Sequence, residues 1–346
     1  MAVQKAAKTT GALVSWVLVG ILSAVAPAEC AEKIDGFCKG VALGGWWRDD
    51  YLAPTLGAQL GALRAGGATW VELTARWYQP ERASTGIAPH ADRSPSDASV
   101  RSAIRLARSR GLRVFLKPQI DLLGAGWRGE IRMDRAADWR DWFASYTRFI
   151  THYAALAREE GVDLFAVGVE LDATRQREAD WRAVIAAVRA SFPGPLTFSA
   201  NWGREVDIAF WDALDYAGVD EYELLEAPAG AADAEMHRLA ERRRDVLRRF
   251  AAQIGKPVLF TEIGARSVSR AAVAPHDWES RGPVDLERQR QLVRTWIDVF
   301  GREPWLAGTF WWAWLSSPPA DPRANDDFTT QGKPAWDEIR AFYGSR

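Results

Sequence analysis

The chain alternates between short apolar segments and longer amphipathic ones. Eight short runs of β-branched, aromatic or small apolar residues end in polar residues or glycine, which is typical of buried strands. Each run predicts one strand: Val41–Trp46, Trp70–Arg76, Arg113–Pro118, Leu164–Glu170, Leu196–Asn201, Tyr216–Tyr222, Val258–Glu262 and Leu306–Trp312.

Six helical patterns lie between or after these strands. They are Ser96–Arg110, Trp139–Glu160, Asp180–Ser191, Ala234–Ile254, Asp285–Phe300 and Ala335–Tyr343. Strands that alternate with helices predict a parallel sheet, and eight such units predict a single-domain α/β fold, the (β/α)8 TIM barrel. An open doubly wound sheet is the alternative, but Gly44-Gly45-Trp46-Trp47 lacks the spacing of a glycine-rich phosphate turn.

Residues 1–28 have the pattern of a secretory signal peptide. Lys5 and Lys8 precede an apolar run over 12–26, and Ala26-Pro27-Ala28 fits the small-x-small cleavage pattern. We expect cleavage after Ala28 and a secreted or periplasmic protein without stable membrane insertion. An uncleaved membrane anchor is the alternative, although a spanning helix needs about 20 apolar residues.

The two cysteines of the chain, Cys30 and Cys38, lie close to the expected mature N-terminus. Exported proteins meet an oxidising compartment, so we predict a Cys30–Cys38 disulfide within an N-terminal segment 29–39, with two free thiols as the alternative. The catalytic barrel is then expected over 40–346.

Charge and histidine content limit the partners and cofactors. Lys and Arg number 44 against 45 Asp and Glu, so no basic excess exists to bind nucleic acid. The four histidines are scattered, without metal-ligand spacing. We therefore expect no nucleic-acid partner, no metal and no organic cofactor, and a monomer that acts on a polysaccharide or oligosaccharide.

Two glutamates at predicted strand ends carry the candidate chemistry. Alternation along strand four places Ala166, Gly168 and Glu170 on the inner side, and the same count directs Glu262 inward at the end of strand seven. In this fold, polar residues at the carboxyl ends of strands form the active site. Two facing carboxyl groups suit the cleavage of a glycosidic bond, one as the acid and one as the nucleophile.

The 18 tryptophans exceed the number of either other aromatic type, and several follow strand ends. Indole faces stack on sugar rings, so Trp46, Trp202 and Trp312 are predicted platforms, whereas Trp311 has the opposite parity and should pack on helices.

Four other strand-end residues are candidates for the substrate site. Arg76 and Tyr222 are expected to lie near Glu262 and help to keep its carboxyl group ionised. Lys117 is predicted either to bind sugar hydroxyls or to pair with Glu72, and Asn201 either to bind sugar or to cap a helix.

Nine short motifs occur in a fixed order along the chain. They are Trp46-Trp47-Arg48-Asp49-Asp50-Tyr51, Thr74-Ala75-Arg76-Trp77-Tyr78-Gln79, Ser94-Pro95-Ser96-Asp97, Leu116-Lys117-Pro118-Gln119-Ile120-Asp121, Val167-Gly168-Val169-Glu170-Leu171, Ala200-Asn201-Trp202, Phe260-Thr261-Glu262-Ile263-Gly264, Phe310-Trp311-Trp312 and Thr330-Gln331-Gly332-Lys333-Pro334-Ala335.

By these motifs, the sequence from about Gly40 to Tyr343 resembles glycoside hydrolase family 113, a group of retaining β-mannanases of clan A. The resemblance implies that Glu170 is the acid/base and Glu262 the nucleophile of a double displacement on β-1,4-mannan. A retaining hydrolase or transglycosylase of another polysaccharide, such as an exopolysaccharide or glucan, and a non-catalytic sugar-binding barrel remain alternatives.

Overall fold

The computed structural model describes residues 34–223, 231–279 and 281–346. Eight parallel strands close into a barrel in sequence order, with β1 paired to both β2 and β8. The predicted (β/α)8 barrel is confirmed. The strands are β1 Cys38–Leu43, β2 Trp70–Gln79, β3 Arg113–Leu122, β4 Leu164–Val169, β5 Leu196–Asn201, β6 Tyr216–Glu221, β7 Val258–Ile263 and β8 Leu306–Trp314.

Seven α-helices lie in the described parts of the chain, and all six predicted helices are among them. The additional helix, Leu56–Ala65, contains two glycines, which weaken its sequence pattern. Two short 3-10 turns, Glu205–Asp207 and Trp211–Ala213, connect β5 to β6. The helices are α1 Leu56–Ala65, α2 Asp97–Ser109, α3 Ala136–Glu160, α4 Glu178–Ser191, α5 Asp233–Ile254, α6 Leu286–Phe300 and α7 Pro334–Ser345.

Local signals set the helix ends. The Ser96 hydroxyl accepts a hydrogen bond from the Ser99 N–H and so caps α2. Helix α3 ends at Gly161, which takes the left-handed conformation with φ 67° that glycine adopts without strain. None of the helices in the described ranges is long and apolar enough to span a membrane.

Cys38 belongs to the barrel rather than to an N-terminal segment. It is the first residue of β1 and lies fully buried in the inner core with Trp70 and Phe115. The structure has Cys38 as a free thiol, and burial raises its pKa to about 12. Strand alternation directs its side chain into the barrel, and the Cys30–Cys38 disulfide stays a prediction because the described residues include only one of the two cysteines. Cys30 and the predicted signal peptide 1–28 lie outside the described residues.

The barrel interior changes from apolar to charged along the strands. Side chains that include Trp70, Phe115 and Phe310 form an inner apolar cluster at the amino ends of the strands. Farther along β2 and β3, the inward positions are Glu72 and Lys117, both fully buried. The apolar layer closes one end of the barrel, so buried charges and any chemistry are confined to the carboxyl ends.

Strand β4 departs from regular alternation just before its end. Its pairing with β5 shifts between Ala166 and Val169. Val169 therefore joins Ala166 in the inner cluster. A Cβ on Gly168 would lie 2.5 Å from the Phe198 ring, on the outer side, so the predicted inward position of Gly168 is wrong.

Strand β7 has a similar irregularity. Phe260 faces outward, with its ring 5.1 Å from that of Trp296 on α6. Regular alternation from Phe260 would turn Glu262 outward as well. The pairing shifts on both sides of this segment, so that Asp220 pairs with Glu262, and Glu262 turns into the barrel.

Candidate active site

Glu262 is held at both carboxylate oxygens. Lys117 Nζ donates a hydrogen bond to Oε1 at 2.7 Å, and the Tyr222 hydroxyl donates to Oε2 at 3.0 Å. The expected contact between Tyr222 and Glu262 is therefore present. A cation and a hydroxyl donor both favour the ionised form of a carboxyl group, which is the form that a nucleophile needs.

Lys117 lies beneath Glu262 and is fully buried. Its ammonium also contacts Asp220, at 3.1 Å from Oδ1, and the Thr261 carbonyl at 3.3 Å. Glu72, the partner that the sequence suggested, is 3.6 Å away. Since no part of the side chain reaches the surface, the predicted sugar-binding role of Lys117 does not fit the structure. Its contacts make it the counter-charge of a buried carboxylate group.

Glu170 follows β4 in a strained backbone conformation. Its φ is 51°, and among the described residues it is the only one other than glycine with positive φ. A residue in such a conformation destabilises the fold by about 1–3 kcal/mol, and residues of this kind occur most often at functional sites. The Glu170 N–H is fixed by a 2.8 Å hydrogen bond to the Ser199 carbonyl on β5. The turn directs the side chain into the barrel mouth.

The Glu170 carboxyl group is held at one oxygen. Arg128 Nη1 donates to Oε2 at 2.6 Å, and Trp127 Nε1 lies 3.4 Å from the same atom. Burial raises the pKa of Glu170, the Arg128 charge opposes that rise, and the Glu262 charge adds to it. The Glu262 charge is therefore close enough to affect the ionisation of Glu170. Glu170 retains its proton above the ordinary pKa of a glutamate.

Arg128 belongs to a second ion-pair group at the mouth. It contacts Asp121 at 3.0 Å and the Ile120 carbonyl at 3.1 Å. Arg76 Nε lies 3.5 Å from Asp121, and Arg76 Nη1 donates to the Gly45 carbonyl. Arg76 therefore faces Asp121 and not Glu262, the partner predicted from the sequence. It lies on β2, next to β3 and across the barrel from β7.

Two of the predicted tryptophan platforms lie together. The ring centroids of Trp46 and Trp312 are 5.8 Å apart, and both side chains are half-buried. The Arg76 guanidinium carbon lies 5.3 Å from the centroid of the Trp46 ring. Trp311 is buried against Trp296, so its predicted packing on a helix is confirmed.

Trp202, the third predicted platform, lies on the β5 side of the mouth. Its ring is 5.8 Å from Tyr222 and 4.7 Å from His276 in the loop after β7. Trp202 is half-buried, which leaves part of the indole open to solvent. Trp202 therefore packs against Tyr222, the residue whose hydroxyl binds Glu262.

Asn201 ends β5 and is buried, as an inward strand-end residue should be. Its Oδ1 has no hydrogen-bond partner among the described residues. The side chain does not cap the following 3-10 turn. The capping role is therefore not present, and because Oδ1 does not reach the surface, the contact of Asn201 with a substrate hydroxyl stays a prediction.

The sequence did not single out Arg128 or Asp220 as site residues. Asp220 has inward parity on β6, two residues before Tyr222, so alternation could have identified it. Arg128 lies in a 3-10 turn after β3, where no periodic pattern exists. Its guanidinium reaches Glu170 through the path of the loop, which local sequence does not reveal.

Solved structures with similar folds include two β-mannanases. The family 113 β-mannanase AaManA from Alicyclobacillus acidocaldarius, in complex with ManMIm, is 30% identical, with a TM-score of 0.83 over 90% of this chain and 98% of that one. A complex of a family 113 β-1,4-mannanase is 27% identical, with a TM-score of 0.82 over 90% of this chain and 100% of that one. A family 5 mannosidase from Rhizomucor miehei, 11% identical with a TM-score of 0.61 over 89% and 92% of the two chains, shares the fold.

Comparison with curated protein sequences gives no match. The family model described as Glycoside Hydrolase Family 113 matches residues 45–333, which contain both glutamates and every strand after β1. The chain therefore belongs to glycoside hydrolase family 113.

Proposed function

We propose that this glycoside hydrolase cleaves β-1,4-mannan with retention of anomeric configuration. Glu262 is the nucleophile and Glu170 the acid/base. The supporting observation is the different environment of the two carboxyl groups: Lys117 and Tyr222 both bind Glu262, whereas burial raises the pKa of Glu170. One group is thus suited to remain ionised and the other to hold a proton, which is the division of roles that glycosidic cleavage requires.

The contacts of Glu262 indicate which oxygen attacks. Oε1 is bound by the fully buried Lys117 and so faces the barrel interior. Oε2 accepts the hydrogen bond from Tyr222 at the mouth, and we assign it as the atom that approaches a sugar. In the first step, Oε2 forms a bond to the anomeric carbon while the bond to the glycosidic oxygen breaks.

Glu170 supplies the proton for that step. Its Oε2 is occupied by Arg128 and Trp127, so Oε1 is the oxygen that delivers the proton to the departing glycosidic oxygen. In the second step, Glu170 takes a proton from water and the water oxygen bonds to the anomeric carbon. The bond between the sugar and Glu262 breaks, and both carboxyl groups return to their starting states.

The identity of the substrate rests on relatives. The two family 113 structures similar to this chain are described as β-mannanases. The half-buried Trp46, Trp202 and Trp312 offer apolar faces for sugar rings, and Asn201 lies at the end of β5 on the same side of the mouth as Trp202. These groups suit a neutral hexose chain, whose rings have apolar faces and hydroxyl edges.

A substrate panel with product stereochemistry tests this function. We expect the purified protein to release reducing ends from β-1,4-mannan faster than from a β-glucan or an exopolysaccharide. Early NMR spectra should show the β-anomer first, before mutarotation. An initial α-anomer would contradict the nucleophile role of Glu262, and faster release from another polymer would contradict the mannan assignment.

We also propose that the chain is exported and cleaved after Ala28. The support is sequence pattern alone, since residues 1–28 lie outside the described ranges. We expect intact-mass measurement of protein expressed in a bacterial host to give a mature chain beginning at Glu29, and Ala28→Arg to block that cleavage. Full-length protein in the membrane fraction would instead support the anchor alternative.

A further inference from the structure

Four ionisable side chains meet inside the barrel below the active-site mouth. They come from four strands: Glu72 from β2, Lys117 from β3, Asp220 from β6 and Glu262 from β7. The side chains of Glu72, Lys117 and Asp220 are fully buried, and that of Glu262 is 11% exposed. This group, which we call the Lys117 cluster, contains one cation and three carboxyl groups.

The charges of the Lys117 cluster do not balance if every group is ionised. One ammonium would face three carboxylates in a water-poor interior, where an uncompensated charge is expensive. Interacting buried carboxyl groups respond by keeping protons. At least one carboxyl group of the cluster should therefore be neutral in the folded protein.

Hydrogen bonding identifies which carboxyl group is the least stabilised as an anion. Lys117 Nζ is 2.7 Å from Glu262, 3.1 Å from Asp220 and 3.6 Å from Glu72. Asp220 also accepts from the Thr261 hydroxyl at 2.7 Å. Neither oxygen of Glu72 has a hydrogen-bond partner among the described residues. Glu72 therefore has the weakest support for a negative charge.

We propose that Glu72 is protonated in the folded protein, which leaves the Lys117 ammonium to Asp220 and Glu262. The protonation follows from the cluster itself, and only its catalytic consequence rests on the proposed function of Glu262. The titratable groups of other elements around Glu262 are Tyr222, which donates to it, and Glu170, whose pKa it raises. Burial raises the pKa of Glu72 well above its ordinary value; the Lys117 charge opposes this rise, and the Glu262 and Asp220 charges add to it.

The pH dependence of stability tests the proton on Glu72. The unfolded chain loses this proton near the ordinary glutamate pKa of about 4.3, whereas the folded protein keeps it. Wild-type stability should therefore fall relative to Glu72→Gln as the pH rises, by about tenfold in the folding equilibrium constant per pH unit, until Glu72 ionises. Denaturant unfolding of both proteins between about pH 5 and 8 measures this difference.

Glu241→Gln is the matched control, because Glu241 is an exposed carboxylate on α5. Its stability curve should run parallel to that of the wild type. Parallel curves for the wild type and Glu72→Gln would show that Glu72 is ionised in the folded protein and would overturn the proposal. This comparison needs no substrate, so it is independent of the mannanase assignment.

The pH profile of kcat/KM tests whether Glu72 leaves the Lys117 charge to Glu262. Glu72→Gln should leave the acidic limb at its wild-type position, because a neutral amide then replaces a neutral, protonated carboxyl group. Lys117→Met should move the acidic limb to higher pH, since Glu262 loses its counter-charge. A shift of the Glu72→Gln limb to lower pH would overturn the proposal, because an ionised Glu72 would then have been competing for Lys117.

Discussion

Glu262→Gln should lower kcat/KM on β-1,4-mannan by about 10,000-fold or more. The amide oxygen is a poor nucleophile, and loss of a nucleophile typically removes most of the catalysis beyond binding. Glutamine has the shape of glutamate: its amide oxygen can still accept from Lys117, and its NH2 group can donate to the Tyr222 hydroxyl oxygen, so the fold should persist. Reducing-end release at a fixed pH, with thermal unfolding recorded on the same samples, measures both effects.

The control for this variant is an equivalent change away from the barrel mouth. Glu241→Gln also converts a carboxylate to an amide, on the exposed side of α5, and should hydrolyse mannan at the wild-type rate. If Glu262→Gln retained more than about 1% of wild-type activity while remaining folded, Glu262 would not be the nucleophile.

Strand positions were predictable because their signals are local. Every predicted strand overlaps an observed one, and the β5 bounds Leu196–Asn201 are identical. Apolar runs that end in polar residues mark where a strand leaves the barrel core, and the two glutamates occur at such ends. Helix α1 lacked an equally clear signal, since Gly57 and Gly61 interrupt its apolar face.

The inward direction of the two glutamates was predicted from strict alternation along each strand, but the structure reaches it through register shifts. Alternation placed Gly168 inward with Glu170, but Gly168 faces outward and Val169 inward. A register shift and the positive φ of Glu170 together bring its side chain to the mouth. Glu262 likewise turns inward through irregular pairing beside Phe260. Such irregularities depend on neighbouring strands, so a period-two pattern does not contain them.

Contacts across the barrel were the least predictable feature. The sequence placed Arg76 and Lys117 correctly on β2 and β3 but gave Glu262 the wrong cation, because Lys117 reaches Glu262 and Arg76 reaches Asp121. Strand stagger decides which inward residues meet, and it depends on how all eight strands pair rather than on the sequence near one residue. Arg128 was missed for the related reason that a loop, not a strand, carries it to Glu170.

Removing the Glu170 carboxyl group should affect the two chemical steps differently. Glu170→Ala should lower kcat/KM on β-mannan by about 100- to 10,000-fold, because the sugar leaving group then departs without a proton. An aryl β-mannoside with an acidic phenol leaves without that help, so its first step should be much less impaired. The glycosyl-enzyme should then accumulate, because no base activates water.

The pH profile of the same variant provides a second measurement. Wild-type activity should fall with rising pH as Glu170 loses its proton, and burial places that fall above the ordinary glutamate pKa. The fall assigned to Glu170 should be absent in Glu170→Ala. A variant that kept the wild-type alkaline limb would show that another group is the acid.

Azide should restore turnover of the aryl mannoside by Glu170→Ala, because it is a nucleophile that needs no base. The structure gives a specific reason for strong rescue: Arg128 Nη1, 2.6 Å from Glu170 Oε2, loses its carboxylate partner in the variant and can bind the anion. The product should be β-mannosyl azide, since azide attacks the face that water uses in a retaining enzyme. The double variant Glu170→Ala, Arg128→Leu should need far more azide for the same rate. Absence of rescue in the folded single variant, or an α-azide product, would contradict the acid/base role of Glu170.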